Sequence, residues 1–227
     1  MNDYINMAED HVIFHIPRCG GTALIEVLKN VTGSYQLVVD KEVDGELIDK
    51  VEGENGGDRV VVSQRSKWLE SGGKRYIVMR DPVERAVSLY SHWEEGGVDA
   101  EAVGWRKKTF EEYAGGDQLE SNWVTRALSG GKFEGECTEE MYERAKEVLL
   151  SSSLHKLSDL EGVIDAMEKG GLKLVDKSRA REILGRKLNA SKRNKVLKKE
   201  HVEKLRKAND KDCKLWEIVK SATNFSQ

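Results

Sequence analysis

The chain has 227 residues, 37 Lys and Arg against 40 Asp and Glu, a net charge of −3 and three cysteines. Near-balanced charge argues against a general polyanion binder, and no apolar run approaches the ~20 residues that span a bilayer. The cysteines, Cys19, Cys137 and Cys213, lack the spacing of a zinc module or a disulfide framework. The length predicts one domain over 1–227 with a core of its own.

In chain order, the sequence predicts a strand over 11–15, a helix over 21–31 and a strand over 34–39, followed by a mixed acidic segment. Strands over 59–63 and 76–79 and a helix over 82–95 come next. Alternation of this kind specifies a parallel sheet covered on both faces, and Val60-Val61-Val62 and Tyr76-Ile77-Val78-Met79 suit buried strands. Thr138 is placed to cap a helix reaching 151, and Ser158 with Glu161 forms a capping-box pattern for a helix to 168. A closing helix over 199–222 carries an apolar stripe of Val202, Leu205, Leu215, Trp216 and Val219. The fold class expected is α/β: a P-loop-like parallel sheet flanked by helices, with a mostly helical C-terminal half.

The first strand-to-helix junction reads His15-Ile16-Pro17-Arg18-Cys19-Gly20-Gly21-Thr22-Ala23. The N–H groups of such a turn and of the first helical residues point at one spot, which the helix dipole makes favourable for an anion. Two adjacent glycines allow a phosphate close to the backbone; Arg18 adds a cation and Thr22 a hydroxyl donor. The loop lacks the Lys of the Walker A pattern. A second junction, Arg80-Asp81-Pro82-Val83-Glu84-Arg85-Ala86-Val87-Ser88-Leu89-Tyr90, follows the strand over 76–79. Its proline suits a first helical turn.

These two motifs, about 60 residues apart, resemble the 5′-phosphosulfate loop (close to H-I-x-K-T-G-G-T) and the 3′-phosphate element (R-D-P-x-x-R-x-x-S-x-Y) of carbohydrate O-sulfotransferases of the heparan-sulfate 2-O and 6-O type. Asn122 to Gly130, with Arg126 and Leu128, is similar to the family's N-x-x-x-R-x-L-x-G segment, and 145–161 and 205–225 follow its later elements in order. The resemblance implies 3′-phosphoadenosine 5′-phosphosulfate (PAPS) as donor and 3′-phosphoadenosine 5′-phosphate (PAP) as product, with no metal. It implies cofactor contacts from Arg18, Cys19, Gly20, Gly21, Thr22, Ala23, Arg80 and Ser88, and a nucleotide-covering loop at Asn189 to Arg193 that uses Ser191 and Arg193. Cys19 stands where the family has Thr and is expected to offer mainly its backbone N–H, although a helix start beside Arg18 also favours a thiolate. Arg85 is expected to support the fold.

By the same resemblance Arg18 occupies the position of a catalytic Lys; it can stabilise leaving-group charge but not donate a proton. The family's catalytic His aligns with Arg65, which is no base. Glu42, after the second strand, is the substitute taken here, with Asp40 and His92 as alternatives. The function expected is sulfuryl transfer from PAPS to a hydroxyl acceptor, a carbohydrate or other small alcohol, without nucleic acid or membrane span. Between 173 and 207, fourteen Lys and Arg face four Asp and Glu, but no aromatic residues interleave them for base stacking. A P-loop nucleotide kinase and a catalytically inactive adenosine-phosphate-binding module are the alternatives. The compartment expected is the cytoplasm for a full-length chain, or the Golgi lumen for a domain excised from an anchored protein.

Overall fold

β-Branched and aromatic runs build the middle of the sheet. Strand β1 (His11–Phe14) is buried along its length, β4 (Asp58–Ser63) contributes the fully buried Val60, Val61 and Val62, and β5 (Lys74–Met79) is buried from Tyr76 onward. The computed structural model describes residues 11–31, 35–43, 46–53, 58–64, 72–95, 109–114, 121–131, 135–186 and 197–224. Among these, β2 (Tyr35–Val43), β3 (Glu46–Gly53) and β6 (Ser153–Lys156) complete a six-stranded sheet in the order β3-β2-β4-β1-β5-β6. All neighbouring pairs are parallel except β2 with β3.

The antiparallel strand corrects the expectation of a strand ending at 39 before an irregular acidic segment. β2 runs on to Val43 and pairs back with β3, Val43 opposite Glu46 and Gln36 opposite Gly53. Charged residues interrupt the apolar run in both strands, and a sheet edge tolerates them.

Helices cover both faces. On one, Val12, Phe14, Val61, Ile77 and Met79 pack against α4 (Trp123–Ser129), α5 (Glu139–Leu150) and α9 (Asp210–Asn224). On the other, Ile13, Val60, Val62, Tyr76 and Val78 meet α1 (Gly21–Val31), α6 (Leu160–Lys169) and α7 (Lys177–Gly185). A third cluster joins α2 (Pro82–Glu94), α3 (Phe110–Ala114) and α8 (Lys199–Ala208). This is the P-loop-like α/β architecture expected, with β6 the one strand after α2 among the described residues.

Thr138 caps α5 as predicted, accepting from the Met141 N–H. Asp159, not Ser158, caps α6: its carboxylate accepts from the Gly162 N–H after a short 3-10 turn at Leu157–Asp159. The single closing helix predicted over 199–222 is two helices, broken at Asn209 (φ −115°, ψ 38°). The stripe divides there: Leu205 joins the α2 cluster, while Leu215 and Val219 lie under the sheet.

β1 lies between β4 and β5, and the chain leaves it first towards β4 and later towards β5. Open α/β sheets form their ligand crevice at such a switch point, outside the carboxyl ends of the strands. Both motifs singled out in the sequence leave from those ends.

Candidate functional site

The loop after β1 is closed by its own backbone. His15 N–H continues the ladder to Ser63 O at 2.8 Å, and Cys19 N–H turns back to Ile16 O at 3.1 Å. Arg18 takes a left-handed conformation (φ 67°) and Gly20 another (φ 86°). For a residue with a Cβ such a conformation costs about 1–3 kcal/mol, so the loop holds Arg18 at some expense. At Gly20 a side chain would be strained and would bring a Cβ to 2.8 Å from Leu157 Cδ1.

Gly20 O accepts the first helical bond, from Leu24 N–H at 3.2 Å. Gly21, Thr22 and Ala23 therefore occupy the first turn of α1, where N–H groups have no carbonyl one turn earlier in the helix. Gly20 has no side chain with which to cap them. The Thr22 side chain is exposed beside them. This is an anion cradle of the kind expected at a helix start. Gly21 also has a packing role: a Cβ there would sit 2.1 Å from the His15 ring.

Cys19 departs from expectation. Its N–H is used to close the loop on Ile16. Its thiol is buried, and burial pushes its pKa up to about 11 despite the nearby Arg85 and Arg80. It is an inward-facing thiol, and its burial disfavours the thiolate.

The second junction is built by Asp81 and Pro82. The Asp81 carboxylate accepts from Val83 N–H at 2.9 Å and Glu84 N–H at 3.2 Å, capping α2, with Pro82 at its first position. Arg80 pairs with Glu84 at 3.2 Å, not with Asp81. Ser88, two turns into α2, is nearly buried. Arg18 Nε donates to Ser88 Oγ at 3.2 Å, which brings the two junctions together. Burial and then the positive charge of Arg80 pull the Arg18 pKa below the usual guanidinium range, while Glu95 opposes them. The two junctions thus bring a guanidinium, a hydroxyl and the first amide groups of α1 to neighbouring strand ends, groups of the kind that bind anions.

Arg85 supports the fold as expected. It is buried, its guanidinium lies 5.6 Å from the centre of the Trp123 ring, and its charge favours ionisation of Asp212 against the burial that raises that carboxyl's pKa. Asp212 accepts from Val124 N–H, Thr125 N–H and the Thr125 hydroxyl, and so caps α4. In return Asn122 Oδ1 accepts from Lys211 and Asp212 N–H at the start of α9, and Asn209 Oδ1 accepts from Asn122 N–H. Arg126 is buried and donates to Ser121 O and Gly135 O. The N-x-x-x-R segment and the Asn209/Asp212 pair are thus two halves of one reciprocal capping network, which sequence reading placed in separate motifs.

The proposed bases lie on two different elements, β2 and α2. Glu42 lies inside β2, opposite Leu47, and Asp40 opposite Asp49; the expectation that Glu42 follows the second strand is corrected. β4 separates β2 from β1, so β2 stands roughly 10 Å across the sheet from the Arg18 strand. His92 lies one turn beyond Ser88 on α2 and is half-buried. Ser191 and Arg193 lie outside the described residues. Sequence reading did not single out Glu95, whose charge acts to raise the Arg18 pKa; its spacing of seven from Ser88, two helical turns, was the available signal. Among the described residues, no group of three or more His, Cys, Asp or Glu is arranged to hold a metal ion, and no helix is long and apolar enough to cross a membrane.

No protein-family model matches the chain, and no curated protein matches it. Among solved structures it is similar to a mouse sulfotransferase, SULT7A1, complexed with PAP. The identity is 13% and the TM-score 0.39, with 89% of this chain and 64% of that chain covered. The chain thus spans less than two thirds of the length of that structure.

Proposed function

We propose that the chain, read over 1–227 as one domain, is a sulfotransferase that uses PAPS and acts on a hydroxyl, with a carbohydrate or other small alcohol as acceptor. The observation that carries this reading is the Arg18–Ser88 hydrogen bond at 3.2 Å. It joins two motifs that resemble the 5′- and 3′-phosphate elements of one family, at adjacent strand ends of one sheet.

The donor supplies a sulfuryl group activated on its 5′-phosphate. The amide groups of Gly21, Thr22 and Ala23, with the Thr22 hydroxyl, hold that phosphate. Arg80 and Ser88 hold the 3′-phosphate, a bidentate cation with a hydroxyl. By the sequence resemblance, Ser191 and Arg193, outside the described residues, are the proposed contacts from a nucleotide-covering loop. Arg18 stands between the two groups and balances charge on the leaving oxygen without giving up a proton. As in phosphoryl transfer, positioning and charge stabilisation lower the barrier.

Titration of the chain with PAP and with 5′-AMP tests this. PAP should bind more tightly, and Arg80→Ala should weaken PAP by about 10–100-fold while changing 5′-AMP little. Equal affinity for the two nucleotides would remove the 3′-phosphate site and with it the reading. A requirement for magnesium and ATP would instead favour a kinase.

A further inference from the structure

We infer that Glu95, at the carboxyl cap of α2, is the general base that takes the proton of the acceptor hydroxyl. This rests on the sulfotransferase reading above.

Helix α2 carries one stripe that meets the loop after β1 through Ser88. Glu84, Ser88 and Glu95 are spaced by four and seven residues, which keeps them within about 40° of one another around the helix. Two members of the stripe are already in the site: Glu84 holds Arg80, and Ser88 holds Arg18. Glu95 continues it. Its backbone stays near helical geometry (φ −81°, ψ 3°), and its N–H still bonds to Ser91 O. The stripe passes from a buried Ser88 to an exposed Glu95, so the Glu95 carboxylate is open to solvent while Ser88 is not.

The neighbouring acids are otherwise engaged or distant. Glu84 is bound by Arg80, and Glu94 accepts the Tyr90 hydroxyl. Glu42 is on β2, with β4 between it and β1. His92 sits about 40° round the helix from Ser88, Glu95 about 20°. The charge of Glu95 is also among those that reach the Arg18 guanidinium, the group placed at the transferring sulfuryl.

The step balances as follows. The acceptor oxygen forms a bond to sulfur as the bond from sulfur to the 5′-phosphate oxygen breaks. The electron pair of the broken bond stays with PAP, opposite Arg18. The acceptor proton passes to the Glu95 carboxylate, which later releases it to water.

The test uses the full chain, labelled PAPS and a panel of 4-nitrophenyl glycosides, with PAP binding measured in parallel. Glu95→Gln should bind PAP within about twofold of the parent and lose transfer by about 100-fold or more. Glu95→Asp should retain part of the activity, and Glu95→Ala should regain part of it in formate or azide. Transfer by Glu95→Gln within about threefold of the parent overturns the assignment, as does loss of PAP binding together with transfer. A parent chain that binds PAP but transfers to neither the panel nor water also overturns it, leaving the donor site standing. A parent chain that does not bind PAP overturns both.

Discussion

The Arg18 guanidinium and the Ser88 hydroxyl are seventy residues apart in the chain and 3.2 Å apart in space. Each is fixed independently, Arg18 by a left-handed turn and Ser88 by a capped helix. Their contact registers one strand end against the other. Ser88→Ala removes the shared hydroxyl with little change in volume. In calorimetric titration it should weaken PAP by about tenfold, the loss of one hydrogen bond to a charged group, with the unfolding midpoint nearly unchanged.

Gly21 should resist substitution for reasons of packing. An alanine Cβ would meet the His15 ring at 2.1 Å, so the ring or the helix start must shift. Gly21→Ala should destabilise the chain by about 1–3 kcal/mol, read from urea denaturation. His15→Ala in the same chain should return most of that loss if the clash is its cause.

The α4–α9 network predicts a larger effect. Asp212→Ala leaves Val124 N–H, Thr125 N–H and the Thr125 hydroxyl without their acceptor at a fully buried position. The cost should be about 3–5 kcal/mol, seen as a lower urea midpoint with an unchanged slope. Asn122→Ala should be non-additive with it, because the two side chains cap each other's helices.

Acid sensitivity has one source in β6. His155 is buried, its ring in contact with the Ser153 hydroxyl at 2.9 Å and 4.0 Å from Asp159. Burial lowers its pKa from the ordinary 6.5, and Asp159 only partly opposes this. A depressed folded-state pKa gives stability that is present above the unfolded value and lost as pH falls through the folded one. The stability advantage of the parent over His155→Gln, measured in urea, should therefore be greatest above 6.5 and shrink on acidification below it.

Much of the site was legible because its signals are local. Gly20-Gly21 and Arg80 to Ser88 announce strand-to-helix junctions within a few residues, and α1 takes the bounds 21–31 that its periodicity predicts. β3 was missed because its charged residues hide the β-branched ones, although Asp44-Gly45, a favoured two-residue hairpin composition, separates it from β2. The break at Asn209 was illegible in principle: the apolar stripe continues across it, and its partner, Asn122, lies 87 residues earlier. Glu95 carries no motif, and only the Arg18–Ser88 contact gives it a place.

The reciprocal caps also set an order of events during translation. The first amides of α4 wait for a carboxylate added 88 residues later, so a nascent chain paused before Asp212 has that helix start uncapped and the sheet face beneath it still lacking Leu215 and Val219. Docking of α9, and not formation of the loops after β1 and β5, is therefore the step that covers this face of the sheet.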